Sequence, residues 1–167
     1  MLLTPEYVYK DVTHITPAVL AELGITALVL DVDNTLTGDE SQRLEPEVQQ
    51  WLDDMRAANI SLTVVSNNRA ERVQPFADRI GLAWVPRACK PLTKGLKVAQ
   101  ARLKVEKRQM AMVGDQLFTD RLAAALFGIP CLVVLPRTKD RHLTILIKRW
   151  LEKPFMKRYF AKGGKVL

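Results

Sequence analysis

The strongest constraint on the fold is a regular alternation of short apolar runs with longer helical stretches. The runs are four or five residues long, rich in β-branched side chains, and comprise Ala27–Asp31, Ser61–Val65, Leu82–Val85, Met110–Val113 and Cys131–Leu135. Near-continuous apolar runs are typical of strands buried on both faces, and strand–helix alternation is typical of βαβ units. We therefore expect an α/β fold with a doubly wound, Rossmann-like sheet of five parallel strands.

Helical periodicity fills the intervals between these runs. The predicted helices are Pro46–Ala58, Ala70–Ile80, Leu92–Leu103, Asp120–Phe127 and about 140–151. Gly81 and Gly128 fall where two of these helices should end. Ahead of the first strand, Thr16 and Pro17 are typical of a helix start, and Gly24 is typical of its end.

Length and composition exclude several classes of protein. A chain of 167 residues fits about one domain, and 48% apolar with 26% charged residues is a globular composition. The apolar runs are far shorter than the roughly 18 residues of a membrane span, and the N-terminus lacks the pattern of a signal peptide. Cys89 and Cys131 are too few for a disulfide framework or an all-cysteine zinc site. We expect a reduced, cytoplasmic environment.

Positive charge is concentrated at the C-terminus. Residues 1–136 carry 15 basic and 16 acidic side chains, whereas residues 137–167 carry 10 basic and 2 acidic ones. Such asymmetry indicates an anionic partner surface. We expect residues 1–136 to form the core, and residues 137–167 to form a basic amphipathic helix and tail, within the same domain or appended to it.

The C-terminal segment also carries apolar side chains at helical spacing, at positions 143, 146, 147, 150 and 151. Basic residues beside aromatic ones favour a helix lying peripherally on an anionic membrane, and we expect Pro154 to end or kink this helix. In the alternatives, the apolar face packs on the core or on another subunit of a homo-oligomer. The charge would then be a solvated face or contact nucleic-acid phosphates, a partner we do not favour.

Polar side chains follow four of the predicted strands, at the edge where ligands bind in parallel α/β sheets. In chain order they are Asp31 and Asp33, Ser66 and Asn67, Lys90, Asp115 and Asp120. Apart from Asp115, each also has a purely structural interpretation. Asp31 and Asp33 could be a loop-capping pair. Ser66 and Asn67 are good helix N-caps, Lys90 could be solvated, and Asp120 could be an acid favoured by a helix dipole.

Together these residue types suit phosphoryl transfer. The carboxylates of Asp31, Asp33 and Asp115 repel one another at one rim unless a hard cation such as Mg²⁺ neutralises them. Lys90 and that cation would balance the charge of a phosphoryl group, and Ser66 with the following backbone N–H groups would bind its oxygens. One carboxylate can act as a nucleophile and a second as a general acid and base.

Four motifs carry a family resemblance. LVLDVDNTL, VVSNN, CKP and GDQLFTD resemble, in this order, the four motifs of the haloacid dehalogenase superfamily. The resemblance implies that Asp31 is the nucleophile and a metal ligand. It implies that Asp33 is the general acid and base, with its carbonyl oxygen as a metal ligand, and that Thr35 orients the loop and assists phosphate binding.

The resemblance also assigns the remaining site residues. Ser66 and Lys90 would hold the substrate phosphate, with Asn67 beside them. Asp115 would complete the Mg²⁺ site, and Asp120 would lie in its outer shell or pair with Lys90.

The spacing between motifs narrows the resemblance. From Asp33 to Ser66 there are 33 residues and from Ser66 to Lys90 there are 24, which leaves no room for an inserted cap domain. Over about residues 2–155 the chain is similar to a capless family, subfamily IIIA, that includes mitochondrial and cyanobacterial phosphatidylglycerophosphate phosphatases. This implies a Mg²⁺-dependent phosphatase that produces phosphatidylglycerol at a membrane surface.

Two other functions stay open at the level of sequence. One is a soluble phosphatase of the same superfamily that acts on a sugar, a nucleotide or a nucleic-acid end. The other is a non-catalytic module that accepts a phosphoryl group or binds a ligand on a similar sheet.

Overall fold

The computed structural model describes residues 2–139 and 142–167, and it contains the predicted parallel sheet. The strands are β1 (Tyr7–Tyr9), β2 (Ala27–Leu30), β3 (Ser61–Val65), β4 (Ala83–Val85), β5 (Met110–Gly114) and β6 (Cys131–Val134). They pair in the order β1-β6-β5-β2-β3-β4, and each of these pairs is parallel. The chain moves outward from β2 through β3 to β4, then returns to β5 on the other side of β2. The C-terminal ends of β2 and β5 therefore meet at the topological switch point of the sheet.

The sheet has six strands, so the prediction of five was wrong. The additional strand is β1, which lies at the edge and pairs with β6, with Tyr7 opposite Leu132 and Tyr9 opposite Val134. β1 has only three residues and lies between the charged residues Glu6 and Lys10, so no apolar run marks it. Its sequence therefore carries little strand signal.

Six α-helices surround the sheet in the described residues. They are α1 (Pro17–Glu22), α2 (Pro46–Ala57), α3 (Ala70–Arg79), α4 (Lys94–Leu103), α5 (Leu122–Phe127) and α6 (Leu143–Ala161). The predicted start of α1 is confirmed, because the Thr16 hydroxyl accepts a hydrogen bond from the Val19 N–H at 3.3 Å. The helix expected from Leu92 begins two residues later, at Lys94. The one expected from Asp120 is a π-helical turn, Leu117–Arg121, followed by α5.

The last helix departs most from expectation. α6 continues through Pro154 to Ala161, although the sequence predicts that this proline ends or kinks the helix. Pro154 and Trp150 both lie on the exposed side of α6, so water can serve the carbonyl group that lacks a helical N–H partner. The first two residues of the helix predicted over about 140–151 lie outside the described residues.

Helices cover both faces of the sheet. Along β2, Leu28 and Leu30 face the core layer that contains α1, α2 and α3. Ala27 and Val29 face the layer that contains α4, α5 and α6. Burial on both faces accounts for the continuous apolar runs of the sequence.

The C-terminal residues pack against the core. Tyr159 of α6 is only 8% exposed, and its hydroxyl donates to the Lys165 carbonyl at 2.7 Å. Beyond α6, Val166 forms a parallel bridge with Val8 of β1, and the Lys10 N–H donates to the Leu167 carbonyl at 2.9 Å. The residues after α6 thus cover the edge of the sheet that β1 forms. Among the described residues, no helix is both long and apolar enough to cross a bilayer.

Docking of α6 predicts a specific stability effect. Tyr159→Ala should lower the free energy of unfolding by about 3 kcal/mol, because it removes a buried ring and leaves a cavity. Leu146→Ala, on the exposed face of the same helix, should change it by less than about 0.5 kcal/mol. Urea denaturation measures both, and equal effects would contradict the packing of α6 on the core.

Candidate active site

The first carboxylate is held where β2 ends. The Asp31 N–H donates to the Val113 carbonyl of β5 at 2.9 Å, so the residue beyond β2 still pairs with the neighbouring strand. Asp115 directly follows β5. Because β2 and β5 are adjacent and parallel, both carboxylates reach the same edge of the sheet.

A third carboxylate joins this pair from the π-helical turn. Asp31, Asp115 and Asp120 are buried, and each offers a carboxylate oxygen within 4.8 Å of those of the other two. Gly114 makes this approach possible, since a Cβ atom there would lie 2.4 Å from Asp120 Cγ. Turns of this kind are frequent at functional sites. The resemblance implies that Asp120 lies in the outer shell of the metal site or pairs with Lys90. The structure places it in the carboxylate cluster and pairs it with Lys90.

Lys90 lies between two of these carboxylates. Its Nζ is 2.7 Å from Asp31 Oδ1 and 2.7 Å from Asp120 Oδ1. Asn67 holds the lysine main chain in both directions: Asn67 Oδ1 accepts from the Lys90 N–H at 2.6 Å, and Asn67 Nδ2 donates to the Lys90 carbonyl at 2.9 Å. The Asn67 side chain is thus a clamp on the Lys90 loop, and the interpretation of Lys90 as a solvated surface residue does not fit its burial.

The C-terminal helix contributes to the same cluster. Arg149 of α6 donates to both Oδ2 and the carbonyl oxygen of Asp115. One turn on, Glu152 is buried and accepts hydrogen bonds from the Leu117 and Phe118 N–H groups at 2.6 and 3.3 Å. These contacts join α6 to the loop that carries Asp115.

Burial and neighbouring charges together shift the pKa values of Asp31, Asp115 and Lys90. Burial raises the pKa of Asp31 to about 7, against the opposing charge of Lys90. Burial also raises the pKa of Asp115 well above its ordinary value, against the opposing charge of Arg149. Burial alone would lower the pKa of Lys90, but the charges of Asp120 and Asp31 outweigh it and raise that pKa.

The cluster fits a divalent cation. Asp115 Oδ1 is buried and has no hydrogen-bond partner among the described residues. Three carboxylates face two cationic side chains, Lys90 and Arg149, so the fully ionised cluster carries one excess negative charge. Carboxylate oxygens grouped in this way are the ligands that Mg²⁺ prefers. The residues present therefore suit a hard divalent cation held by Asp31 and Asp115.

Asp33 points its carboxylate away from this cluster. Oδ1 accepts hydrogen bonds from Arg72 Nη2 at 2.5 Å and from the Glu40 N–H at 3.1 Å, and Oδ2 accepts one from Asn68 Nδ2 at 2.6 Å. The side chain is about one-fifth exposed and lines the cleft above the cluster. Its carboxylate thus lies in a polar setting at the cleft wall, separate from the three grouped carboxylates.

The remaining predicted residues lie around that cleft or beneath it. Ser66 and Asn67 line the cleft, which has a volume of about 180 Å³, and His142 and Lys148 complete its wall from the C-terminal side. The Ser66 hydroxyl accepts from the Asn68 N–H at 3.1 Å, as an N-cap does. Thr35 is fully buried, does not line the cleft, and its hydroxyl has no hydrogen-bond partner in the described parts of the chain.

Residues 18–128 match the model of the haloacid dehalogenase-like hydrolase family. The chain belongs to that family, as the four motifs indicate. The matched segment contains β2 to β5 and all of the predicted site residues.

Two curated proteins are similar over nearly the whole chain. The Probable phosphatase YqeG of Bacillus subtilis is 29% identical over 159 residues, covering 95% of this chain and 92% of its own length. Phosphatidylglycerophosphate phosphatase 1, chloroplastic/mitochondrial, of Arabidopsis thaliana is 24% identical over 172 aligned residues. That alignment covers 96% of this chain but spans only 49% of the Arabidopsis protein.

Solved structures share the fold at low sequence identity. A 4-nitrophenylphosphatase from Thermotoga maritima superposes with a TM-score of 0.58 and 16% identity, covering 71% of this chain and 88% of the other. An uncharacterised protein from Listeria monocytogenes superposes with a TM-score of 0.56 and 16% identity, covering 71% and 86%. These matches support the α/β architecture.

Three residues at the site escaped the sequence interpretation. Arg72 lies six residues after Ser66 and one helical turn beyond the second motif. A basic side chain at that position was the sequence signal that could have placed it at the site. Arg149 and Glu152 lie 34 and 35 residues beyond the atoms they contact at Asp115 and Leu117. Their i,i+3 spacing on one helix resembles an ordinary surface ion pair, so no local pattern distinguishes them.

The raised pKa of Asp31 predicts a gain in stability on neutralisation. In metal-free buffer, Asp31→Asn should increase the free energy of unfolding at pH 8 by about 1–3 kcal/mol. The folded-state pKa of Asp31, about 7, lies above its ordinary value of 3.8, so the protein binds more protons when folded. The contribution of Asp31 to stability should therefore fall as pH rises from about 4 to about 7 and then level off.

The variant should show a weaker pH dependence over the same range, and chemical denaturation at several pH values measures it. Asp78→Asn, an exposed aspartate on α3, is the matched control and should leave both the stability and its slope unchanged. A variant less stable than the parent at pH 8, with an unchanged slope, would contradict the electrostatic cost assigned to Asp31.

Proposed function

We propose that this chain is a capless, Mg²⁺-dependent phosphomonoesterase that forms an aspartyl-phosphate on Asp31 and acts on phosphatidylglycerophosphate at a membrane surface. One observation carries the catalytic part of the proposal: Asp31, Asp115 and Asp120 are buried together around Lys90 at the C-terminal edge of the sheet. Such a site in a haloacid dehalogenase-like hydrolase is suited to phosphoryl transfer.

In the first step, a carboxylate oxygen of Asp31 attacks the phosphorus atom, and the bond from phosphorus to the alcohol oxygen breaks. Lys90, 2.7 Å from Asp31, supplies positive charge where the phosphoryl oxygens gather. Ser66 also lines the cleft, and its hydroxyl with the backbone N–H groups that follow would bind those oxygens.

Asp33 serves as the general acid and base. In its protonated form Asp33 donates its proton to the oxygen of the departing alcohol and becomes a carboxylate. That carboxylate then removes a proton from the water that attacks the aspartyl-phosphate, which releases phosphate and restores both Asp31 and protonated Asp33. Hydrogen bonds from Arg72, Asn68 and the Glu40 main chain fix its orientation at the cleft wall. Asp31 and Asp115 would hold a Mg²⁺ ion, and that ion would supply positive charge to offset the charge of the carboxylates and of the phosphoryl group.

Two observations support a large, membrane-borne substrate. The chain from Asp33 to Ser66 contains a loop, α2 and β3, and that from Ser66 to Lys90 contains α3 and β4, so the motifs are joined by core elements. Without a cap domain inserted between the motifs, the cleft above them would accommodate a bulky substrate. The similarity to the Arabidopsis phosphatidylglycerophosphate phosphatase names the substrate we propose.

The outer face of α6 supports peripheral membrane contact. We define this face by its exposed apolar residues, Leu143, Leu146, Ile147, Trp150 and Leu151, which are 44–71% exposed. It lies opposite the side of the helix that buries Glu152 and Tyr159. Lys148, on the same helix, lines the cleft. An apolar face flanked by basic residues and adjacent to the cleft suits binding to anionic lipid.

The substrate proposal predicts phosphate release from phosphatidylglycerophosphate in liposomes, in the presence of Mg²⁺. A chelator should abolish turnover, and Asp31→Asn should lower kcat/KM by at least about 10³-fold, because it removes the nucleophile. Asp33→Asn should lower it by about 10²–10⁴-fold through the loss of proton transfer. Released phosphate is the measurement.

A panel of soluble sugar and nucleotide phosphomonoesters is assayed beside the lipid, and Asp78→Asn is the matched control with unchanged turnover. Turnover restricted to the soluble esters would retain the catalytic site and contradict the lipid substrate. No turnover of any ester with Mg²⁺ or Mn²⁺ would contradict the phosphatase itself and favour a non-catalytic module.

The outer face predicts binding to anionic vesicles. Of the three tryptophans, Trp150 is 65% exposed, Trp84 is half-buried and Trp51 is only 4% exposed. A blue shift of tryptophan emission with phosphatidylglycerol vesicles, absent in Trp150→Phe, would report burial of the outer face. Leu146→Gln with Ile147→Gln should weaken partitioning about tenfold or more, because each apolar side chain contributes about 1.5–3 kcal/mol when buried.

Leu126→Gln, an exposed leucine on α5, is the matched control and should partition normally. Unchanged emission with vesicles would contradict membrane contact. A blue shift that depends on protein concentration and not on vesicles would assign the outer face to a homo-oligomer interface.

A further inference from the structure

A second cavity lies on the inner side of α6, separate from the catalytic cleft. It has a volume of about 280 Å³ and runs between α6 and the C-terminal end of β6. We call it the α6 trough, and its defining residues are Leu117, Val133, Leu135, Arg149, Lys153 and Met156. The volume is just below the roughly 300–1,000 Å³ of small-molecule pockets, which suits a slender ligand.

The floor of the α6 trough is apolar. Val133 and Leu117 are almost fully buried core residues, and Leu135 is half-buried beyond the end of β6. Met156 and Phe160 of α6 form the facing wall. Methionine adapts its shape readily to an apolar ligand. A lining of this kind favours a hydrocarbon chain over a polar group.

The rim of the trough is basic apart from Glu152, whose carboxylate accepts hydrogen bonds from Arg149 and from the Leu117 and Phe118 N–H groups. Arg149, Lys153 and Lys157 follow one another at four-residue intervals along one side of α6, so their charges form a row above the apolar floor. Lys153 and Lys157 have no ion-pair partner in the described residues. A ligand that complements both features carries an apolar chain and an anionic group.

The trough also borders the catalytic cluster. Asp115 lines the trough, and its carboxylate belongs to the cluster with Asp31 and Asp120. Arg149 lies at this boundary, because it donates to Asp115 and is part of the basic row. An anionic group bound at the Arg149 end of the row would therefore lie near the catalytic site.

We propose that the α6 trough is an acyl-chain subsite, in which one chain of an anionic phospholipid packs against Met156 and Leu135 while its phosphate meets the basic row. This inference rests on the proposed function, since it assigns a place to the lipid part of the substrate. The outer face of α6 would contact the bilayer while the inner face holds a chain of the bound lipid.

Binding of short-chain lipids tests the proposal without catalysis. Isothermal titration calorimetry compares dibutanoyl with dihexanoyl phosphatidic acid, both kept monomeric, in buffer without divalent cation. Two more methylenes in one buried chain predict roughly tenfold tighter binding of the dihexanoyl lipid. Met156→Gln, of similar length but polar, should reduce this preference to less than about threefold.

Leu126→Gln is the matched control and should keep the tenfold preference. Equal affinity for the two lipids in the unaltered protein would overturn the proposal, as would a preference that survives Met156→Gln. A preference lost in Ile147→Gln instead would place the chain on the outer face and also overturn it. Binding as predicted without release of lipid phosphate in the turnover assay would retain the trough and contradict the proposed substrate.

Discussion

The site depends on the two ion pairs that the ammonium group of Lys90 forms with Asp31 and Asp120. This ammonium group lies 2.7 Å from Asp31 and 2.7 Å from Asp120, and these three groups are nearly excluded from water. Two carboxylates buried so close together would repel strongly without a cation between them. Lys90 therefore permits the loops after β2, β4 and β5 to converge. The Asn67 side chain stabilises this geometry by hydrogen bonding to both the N–H and the carbonyl group of Lys90.

The site retains an electrostatic cost even with this lysine in place. Burial raises the pKa of Asp31 and of Asp115, and one oxygen of Asp115 has no hydrogen-bond partner among the described residues. A fold selected for stability alone would replace such groups with neutral ones. The excess negative charge is what prepares the cluster for a divalent cation. Arg149 of α6 reduces this excess negative charge through its ion pair with Asp115. The C-terminal helix therefore contributes to the electrostatics of the site.

Much of the fold follows from local sequence. The five predicted runs became β2 to β6 because their side chains are mostly apolar, and α1 starts at Pro17 because the Thr16 hydroxyl caps the helix. The edge strand β1 and the continuation of α6 through Pro154 were not predictable in this way. The strand is specified by pairing with β6, and the helix by docking of Tyr159 on the core. Both are tertiary contacts that override weak or contrary local signals.

The sequence by itself determined which chemical groups reach the edge of the sheet, because each motif lies at or a few residues beyond the end of an apolar run and parallel strands share their C-terminal edge. Only the tertiary structure decided how those groups pair. It placed Asp120 with Asp31 and Asp115, turned the Asp33 carboxylate towards Arg72, and brought Arg149 to Asp115. Asp115 and Asp120 are only five positions apart in the sequence. The other partners are separated by 34 to 89 positions, and Asp31 and Asp120 are the most distant pair. Contacts over such distances depend on the packing of whole elements, which leaves no periodicity in the sequence.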